Sequence, residues 1–455
     1  MPSDPSRFPL PTERAIVVGA GIAGLTAAYR LRQRGFDVTV LEAADYIGGK
    51  MSSFDAGGFT LNRGATILPT SYTEIRGLID EVGLTEAISP FQAVMAVPRE
   101  GRIYRLRIPG LGSVLDGLTT PLLSARSKLK LRNLVTDGLR VRDSLSYSDV
   151  AKLATVDTET IGEYARRRLN QEILEYVIDP FARGLYMTNA DPLSVAEVFF
   201  STTKVLGSGF LRYPGGIDFL NLALAERVRD VRTGAAVTSV EPEGGGVTVT
   251  WDHDGREHSE RVAGCVIAAP GYVLPSIYPQ LDARIADILD HELYYVSCIV
   301  MHHALATRPD EPATFMSLPR SECDEIGFIN FAHQTTTGAV PAGKGLVTSY
   351  WMDEWSKAHA GQSDDELLEK ALPTVDRLIP GLADRVEFNR VVRWEKGWVR
   401  TNAGTYRTMA ELTGRLDPTS RVQLAGDFLT IPGTNGSSAS GDRAARRLSS
   451  AVYGS

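Results

Sequence analysis

The sequence predicts an α/β fold, α+β overall, and three observations carry the prediction. Residues 15–42 run strand, glycine-rich turn, helix and strand in quick succession. Residues 424–450 run a short strand into a glycine and an acid, then into a helix of small residues. The chain between mixes helical and strand patterns, and 455 residues are many for one compact core. Two or three domains are therefore expected.

The first element is the apolar run Ala15-Ile16-Val17-Val18, a short buried strand. Gly19-Ala20-Gly21-Ile22-Ala23-Gly24 follows as a GxGxxG. The stretch LTAAYRLRQRG is helical and stops at Gly35, and VTVLE is a second strand closing on Glu42. This is the spacing of a Rossmann-type dinucleotide-binding unit. Gly19 permits the tight turn, Gly21 and Ile22 bring backbone to a pyrophosphate, and Gly24 lets the helix pack on the strand. The helix N-terminus supplies free N–H groups and partial positive charge. Glu42 accepts hydrogen bonds from ribose hydroxyls and repels a 2′-phosphate, which disfavours an NADP-type ligand. A lone GxGxxG is weak evidence; here strand, glycines, helix, strand and acid all fall in register.

The motif continues through Glu42-Ala43-Ala44-Asp45-Tyr46-Ile47-Gly48-Gly49-Lys50. It resembles the E-A-x-x-x-x-G-G-R signature of the large flavin family of amine oxidases, protoporphyrinogen oxidases and carotenoid-type desaturases. The resemblance implies noncovalent FAD, with Ala43, Gly49 and Lys50 along the pyrophosphate and flavin. Lys50 stands where arginine is usual, so charge is kept and the bidentate fork is lost. Gly58-Phe59-Thr60-Leu61-Asn62-Arg63-Gly64-Ala65-Thr66-Ile67 is similar to the segment that passes beside the isoalloxazine ring. That implies cofactor contacts for Gly64, Ala65, Thr66 and Ile67, while Arg63 faces flavin, substrate or plain solvent. GAAVTSV resembles the strand that reads the adenine, with Val237 at the contact; EGGG is a hairpin turn and VTVTW its return strand. At the C-terminus Gly426-Asp427, then Thr434 to Gly441, resemble the family's second FAD element. By resemblance Asp427 bonds the ribityl or phosphate region, and the helix start at Thr434 and Gly436 points its dipole at flavin N1/O2.

The resemblance makes the FAD-binding domain discontinuous: residues 1–75, 213–275 and 391–455. Residues 76–212, mainly helical, and 276–390 would form the substrate domain. Within the family, Pro180-Phe181, Gly184, Tyr186 and Asp191-Pro192-Leu193-Ser194 resemble protoporphyrinogen oxidase, as does Tyr213-Pro214-Gly215-Gly216. Gly426-Asp427 is more like the desaturases. The amine-oxidase branch fits less well: no lysine lies in 262–281, and Gly433 stands where that branch has an aromatic. The expected activity is removal of hydride equivalents from a bulky, largely apolar substrate, forming C=C or C=N bonds, with O2 or another acceptor taking the electrons. The alternatives are a flavin amine oxidase, a polyene desaturase or natural-product tailoring oxidase, and a flavin-stabilised binding protein. No catalytic side chain is named. A reduced porphyrin would need cations for its carboxylates, and Arg63 and Arg183 are the candidates; Arg183 also reads as a helix C-terminal arginine satisfying carbonyls.

The remaining readings are mostly exclusions. A formal net charge of -7 argues against a nucleic-acid partner. Cys265, Cys298 and Cys323 form no CxxC or zinc-type spacing, so no disulfide, no metal and a cytoplasmic setting are expected. The N-terminus is Pro-rich and polar, without the apolar core of a secretory signal. The longest uncharged run, between Arg261 and Asp282, is broken by Pro270, Pro275 and Pro279, so no transmembrane segment is expected. The stretch 124–144 mixes leucines with six basic residues. It reads as a solvated helix face or, more sharply, as a membrane-surface or substrate-entry helix. His302-His303 would point to opposite faces of a strand. The pairs Trp351/Trp355 and Trp394/Trp398 have helical spacing and belong to core or pocket. The oligomeric state is not legible.

Overall fold

The computed structural model describes residues 12–109, 115–117, 119–205 and 207–454. The Pro-rich lead-in up to residue 11 lies outside them. A five-stranded parallel sheet forms the nucleotide-type core, ordered Val422–Leu424, Gly264–Ile267, Glu13–Val18, Phe36–Leu41, Asp230–Arg232. Ala15 to Val18 are all buried, as a strand covered on both faces must be. One face carries the helices Ile22–Gln33 and Thr434–Tyr453. Their backbones meet closely: a Cβ on Gly441 would lie 2.1 Å from the Ala23 carbonyl oxygen. Thr26 Oγ1 and Ser438 Oγ share a hydrogen bond of 3.1 Å there. The small residues of 435–441 are thus what the first and last helices need to touch.

Beside this core stands a three-stranded antiparallel sheet, Ala235–Glu243, Gly246–His253 and Arg256–Val262, with the hairpin turn at Gly244-Gly245. A seven-stranded sheet makes the second layer. Its order is Val386–Val399, Tyr295–Leu305, Gly345–Trp351, Ile326–Phe331, Phe315–Ser317, Ala93–Arg99, Arg102–Ile108. Every residue of Tyr295–Leu305 is buried. His302 and His303 point to opposite faces: His302 meets Thr348 Oγ1 at 3.0 Å, His303 meets Asn389 Oδ1 at 2.7 Å.

The inserted segments mix strand with helix. Residues 76–212 are mainly helical from Ala125 to Val205, but 89–108 form three strands, two of them in the second sheet. The stretch from Ile161 to Tyr186 is two helical runs, Ile161–Arg168 and Gln171 through Tyr186. They part at Leu169, and Asn170 caps the second by accepting from Ile173 N at 3.0 Å. The expected boundaries at 213 and 391 fall inside the strands Phe210–Pro214 and Val386–Val399. Motif residues mark a site, not where the chain passes between layers.

Candidate active site

The glycine turn sits at the C-terminal end of the parallel sheet, where such sheets bind ligands. Gly19 has φ +98 and donates its N–H to Leu41 O at 2.7 Å, which closes the turn over the neighbouring strand. Gly21 has an ordinary φ of -73, and a Cβ there would meet no protein atom within 4 Å. It borders open space. Gly24 does not: its Cβ would stand 1.9 Å from Gly19 O. Glu42 closes the second strand and takes two backbone N–H groups, Ala20 at 2.7 Å and Ala44 at 2.9 Å. Gly48 then runs alongside, donating to Ala20 O at 2.9 Å.

Lys50 reaches across the molecule to Asp427 Oδ2 at 2.5 Å and to Gly397 O at 2.7 Å. The pair ties the first motif to the last. Lys50 O in turn receives Ala65 N at 2.9 Å. A Cβ on Gly64 would lie 2.7 Å from that oxygen, which is why glycine is required there. Thr66 is fixed from two sides: its carbonyl accepts from Tyr213 Oη at 2.9 Å and its hydroxyl from Asn330 Nδ2 at 2.7 Å. At the far end the helix Thr434–Tyr453 begins, and Asn435 Oδ1 accepts the Glu74 and Ile75 N–H groups of another helix start.

These segments surround one cavity of about 540 Å³. Gly19, Gly21, Ile22, Glu42, Ala43, Gly49, Lys50, Gly64, Ala65, Thr66, Ile67, Val237, Gly426, Asp427, Thr434 and Gly436 all line it. Gly24 does not, since it serves helix–strand packing. Neither of the two arginines named for substrate lines the cavity. Arg183 is fully buried and absent from the cavity wall. Its guanidinium donates to the carbonyls of Leu318 (3.0 Å), Cys323 (2.6 Å) and Ile326 (3.2 Å), and to Asn189 Oδ1 (2.6 Å). It staples a loop of the second sheet and has nothing left for a ligand. Arg63 also misses the cavity wall: its guanidinium lies over the rings of Tyr46 and Phe54, 4.1 and 4.7 Å from their centroids.

The far wall is one that motif reading did not assemble. It is aromatic: Tyr72, Tyr147, Phe200, Phe210, Phe315, Phe328 and Tyr350 come from seven separate elements and loops. Of the aromatic lining, Phe181 and Tyr186 were signalled, by the motif that runs from Pro180 to Tyr186. Burial pushes the Tyr147 phenol up to about 12 and raises those of Tyr72 and Tyr350 further, so this wall is uncharged at ordinary pH. Trp394, Lys396 and Trp398 also line the cavity, from a strand and not from a helix. Trp394 Nε1 donates to Arg63 O at 2.8 Å. The other tryptophan pair is core: Trp351 is wholly buried, its ring 4.1 Å from that of Trp355.

The comparisons agree with this geometry. Residues 22–449 match the family described as flavin containing amine oxidoreductase. Protoporphyrinogen oxidase 2 of Arabidopsis thaliana is 32% identical over 201 residues, which is 43% of this chain but only 37% of that protein. Coproporphyrinogen III oxidase of Bacillus subtilis is 22% identical over 88% of this chain and 90% of its own. A crystal structure described as a putative protoporphyrinogen oxidase from Exiguobacterium superposes with a TM-score of 0.74 at 19% identity, covering 97% of this chain and 99% of that one. With a match that spans nearly the whole sequence, this chain belongs to the flavin-containing amine oxidoreductases.

Proposed function

We propose that the protein is an FAD-dependent oxidase or dehydrogenase that removes hydride equivalents from a bulky, largely apolar substrate, in the manner of the protoporphyrinogen oxidases. The observation that carries this is the continuity of one cavity, with a dinucleotide-type turn at one end and an aromatic wall at the other. The residues fit FAD. The space above Gly21 is open, two helix N-termini at Ile22 and Thr434 border it, and Asn435 Nδ2 is a buried donor without a partner among the described residues. Glu42, oriented by two N–H groups, would hold the ribose; Ala43, Gly49, Lys50 and Val237 would lie along the nucleotide; Gly64 to Ile67, Gly426, Asp427, Thr434 and Gly436 would border the ring. Bound FAD supplies the two-electron acceptor. The chain supplies position and field: helix dipoles for the phosphates and for the ring's pyrimidine edge, and an apolar wall that excludes water. Noncovalent binding is supported by the lining, which contains no cysteine or histidine among the described residues. The three buried free thiols support a reducing, cytoplasmic setting.

The purified protein should be yellow and release FAD, not FMN, on acid precipitation. Coproporphyrinogen III or protoporphyrinogen IX should bleach that flavin under anaerobic conditions. A protein that cannot be loaded with FAD sinks the cofactor reading. A loaded protein bleached by an amine or a polyene but by neither porphyrinogen moves it to another branch.

A second reading concerns location. The helix Ala125–Val141 exposes Leu129, Val135 and Leu139 at 61%, 60% and 54%, beside exposed Arg126, Arg132 and Arg140. That pattern supports contact with an anionic membrane surface.

A further inference from the structure

Among the described residues, four charged side chains line the cavity: Glu42, Lys50, Asp427 and Lys396. Three are committed. Glu42 is held by two backbone N–H groups beside the glycine turn. Lys50 and Asp427 neutralise each other, and Lys50 also bonds Gly397 O. Lys396 has no carboxylate and no hydrogen-bond acceptor among the described residues; its ammonium lies 4.7 Å from the centroid of the Tyr272 ring.

The backbone presents this lysine deliberately. Opposite the two steps from Val296 to Cys298, the partner strand takes four from Trp398 to Trp394, so it bulges at 395–397. Bulges re-aim side chains beside ligand sites. Here Gly397 turns its carbonyl to Lys50, and Trp394, Lys396 and Trp398 all come to the cavity wall. Trp394, Trp398 and Tyr272 thus line the same wall as this exposed cation.

We infer that Lys396 is the cavity's anion anchor and that the substrate carries a carboxylate on its apolar body. This rests on the reading of the cavity as a flavin and substrate site. It narrows that reading: a cationic amine would find no uncommitted carboxylate in the wall, and a neutral polyene would leave Lys396 unused. A carboxylate would meet an ammonium that lies over a tyrosine ring and has no hydrogen-bond acceptor among the described residues.

The test uses FAD-loaded holoenzyme and two probes of equal chain length and opposite charge, laurate and dodecylamine, titrated by the change in flavin fluorescence. Laurate should bind at least fivefold more tightly to the parent than to Lys396→Met, and Lys396→Arg should restore it. Dodecylamine should bind no more weakly to Lys396→Met than to the parent. The laurate difference should shrink as salt rises, as for any partly exposed ion pair. Equal laurate affinity in parent and Lys396→Met overturns the proposal. So does loss of FAD or a shifted flavin spectrum in Lys396→Met, because the lysine would then serve the cofactor. Coproporphyrin III separates the two claims. If laurate binding depends on Lys396 but the porphyrin does not bind, the anchor stands and the tetrapyrrole reading falls.

Discussion

Two glycines three positions apart fail in opposite ways. Gly24→Ala places a methyl 1.9 Å from a backbone carbonyl that cannot swing aside. The helix must move off the strand, at a cost of about 3 kcal/mol or more. Gly21→Ala meets no protein atom within 4 Å and keeps an ordinary φ of -73. Its methyl instead occupies the space assigned to the pyrophosphate. The apo form of Gly21→Ala should melt within a degree or two of the parent apo protein while FAD affinity falls at least tenfold. Gly24→Ala should melt far lower with or without FAD. Equal melting of the two variants would contradict this division. The close packing at Gly24 was readable in the GxGxxG, because local backbone geometry sets it. Lys396 was not, since its importance depends on which other charges are already paired.

At the scale of an element, the helix Ala125–Val141 shows how a pattern becomes a surface. Ser127, Leu134 and Gly138 face inward, and Gly138 sits 3.4 Å, by its missing Cβ, from Thr203 Cγ2. The opposite face leaves three aliphatic side chains exposed among cations. Leu129→Ser with Leu139→Ser should change folding stability by less than about 0.5 kcal/mol, since neither is buried. The parent should cosediment with phosphatidylserine-containing vesicles and release at high salt, and the double variant should stay in the supernatant. Indifference of the parent to those vesicles removes the membrane reading and leaves a solvated face. Amphipathicity was legible in the sequence; which apolar residues stay uncovered was not, because that depends on how far neighbouring helices reach.

For the whole molecule, three histidines tie stability to pH. Burial lowers His302 to about 3 and His303 and His333 to about 4, from an ordinary 6.5. The folded state keeps them neutral while the unfolded chain protonates them below 6.5. Their contribution is complete above 6.5 and is lost as pH falls towards 4. Each is worth up to about 1.4 kcal/mol per pH unit in that window. Denaturant unfolding should therefore show several kcal/mol less stability at pH 5 than at pH 7, and His333→Gln should flatten the slope. Equal stability at the two pH values would mean these rings reach water. The histidines lie within the second sheet or against it, away from the cavity wall, so flavin retention should follow global unfolding and not precede it.

The sequence by itself determined what depends on short-range geometry: the parallel strand–turn–helix unit, the acid that ends its second strand, and the small-residue helix at the C-terminus. Those signals are local, because a tight turn or a close helix contact restricts residue type wherever it occurs. It also marked sixteen of the residues that border the cavity, through a resemblance that spans both ends. Only the tertiary structure decided what depends on distance between remote segments. It spent Arg183 on the carbonyls of a loop more than 130 positions away, stacked Arg63 on two rings, and gathered an aromatic wall from scattered elements. It also joined Lys50 to Asp427 across 377 positions. A charge is available to a ligand only when no other group satisfies it, and that balance is struck between segments that the linear pattern keeps apart.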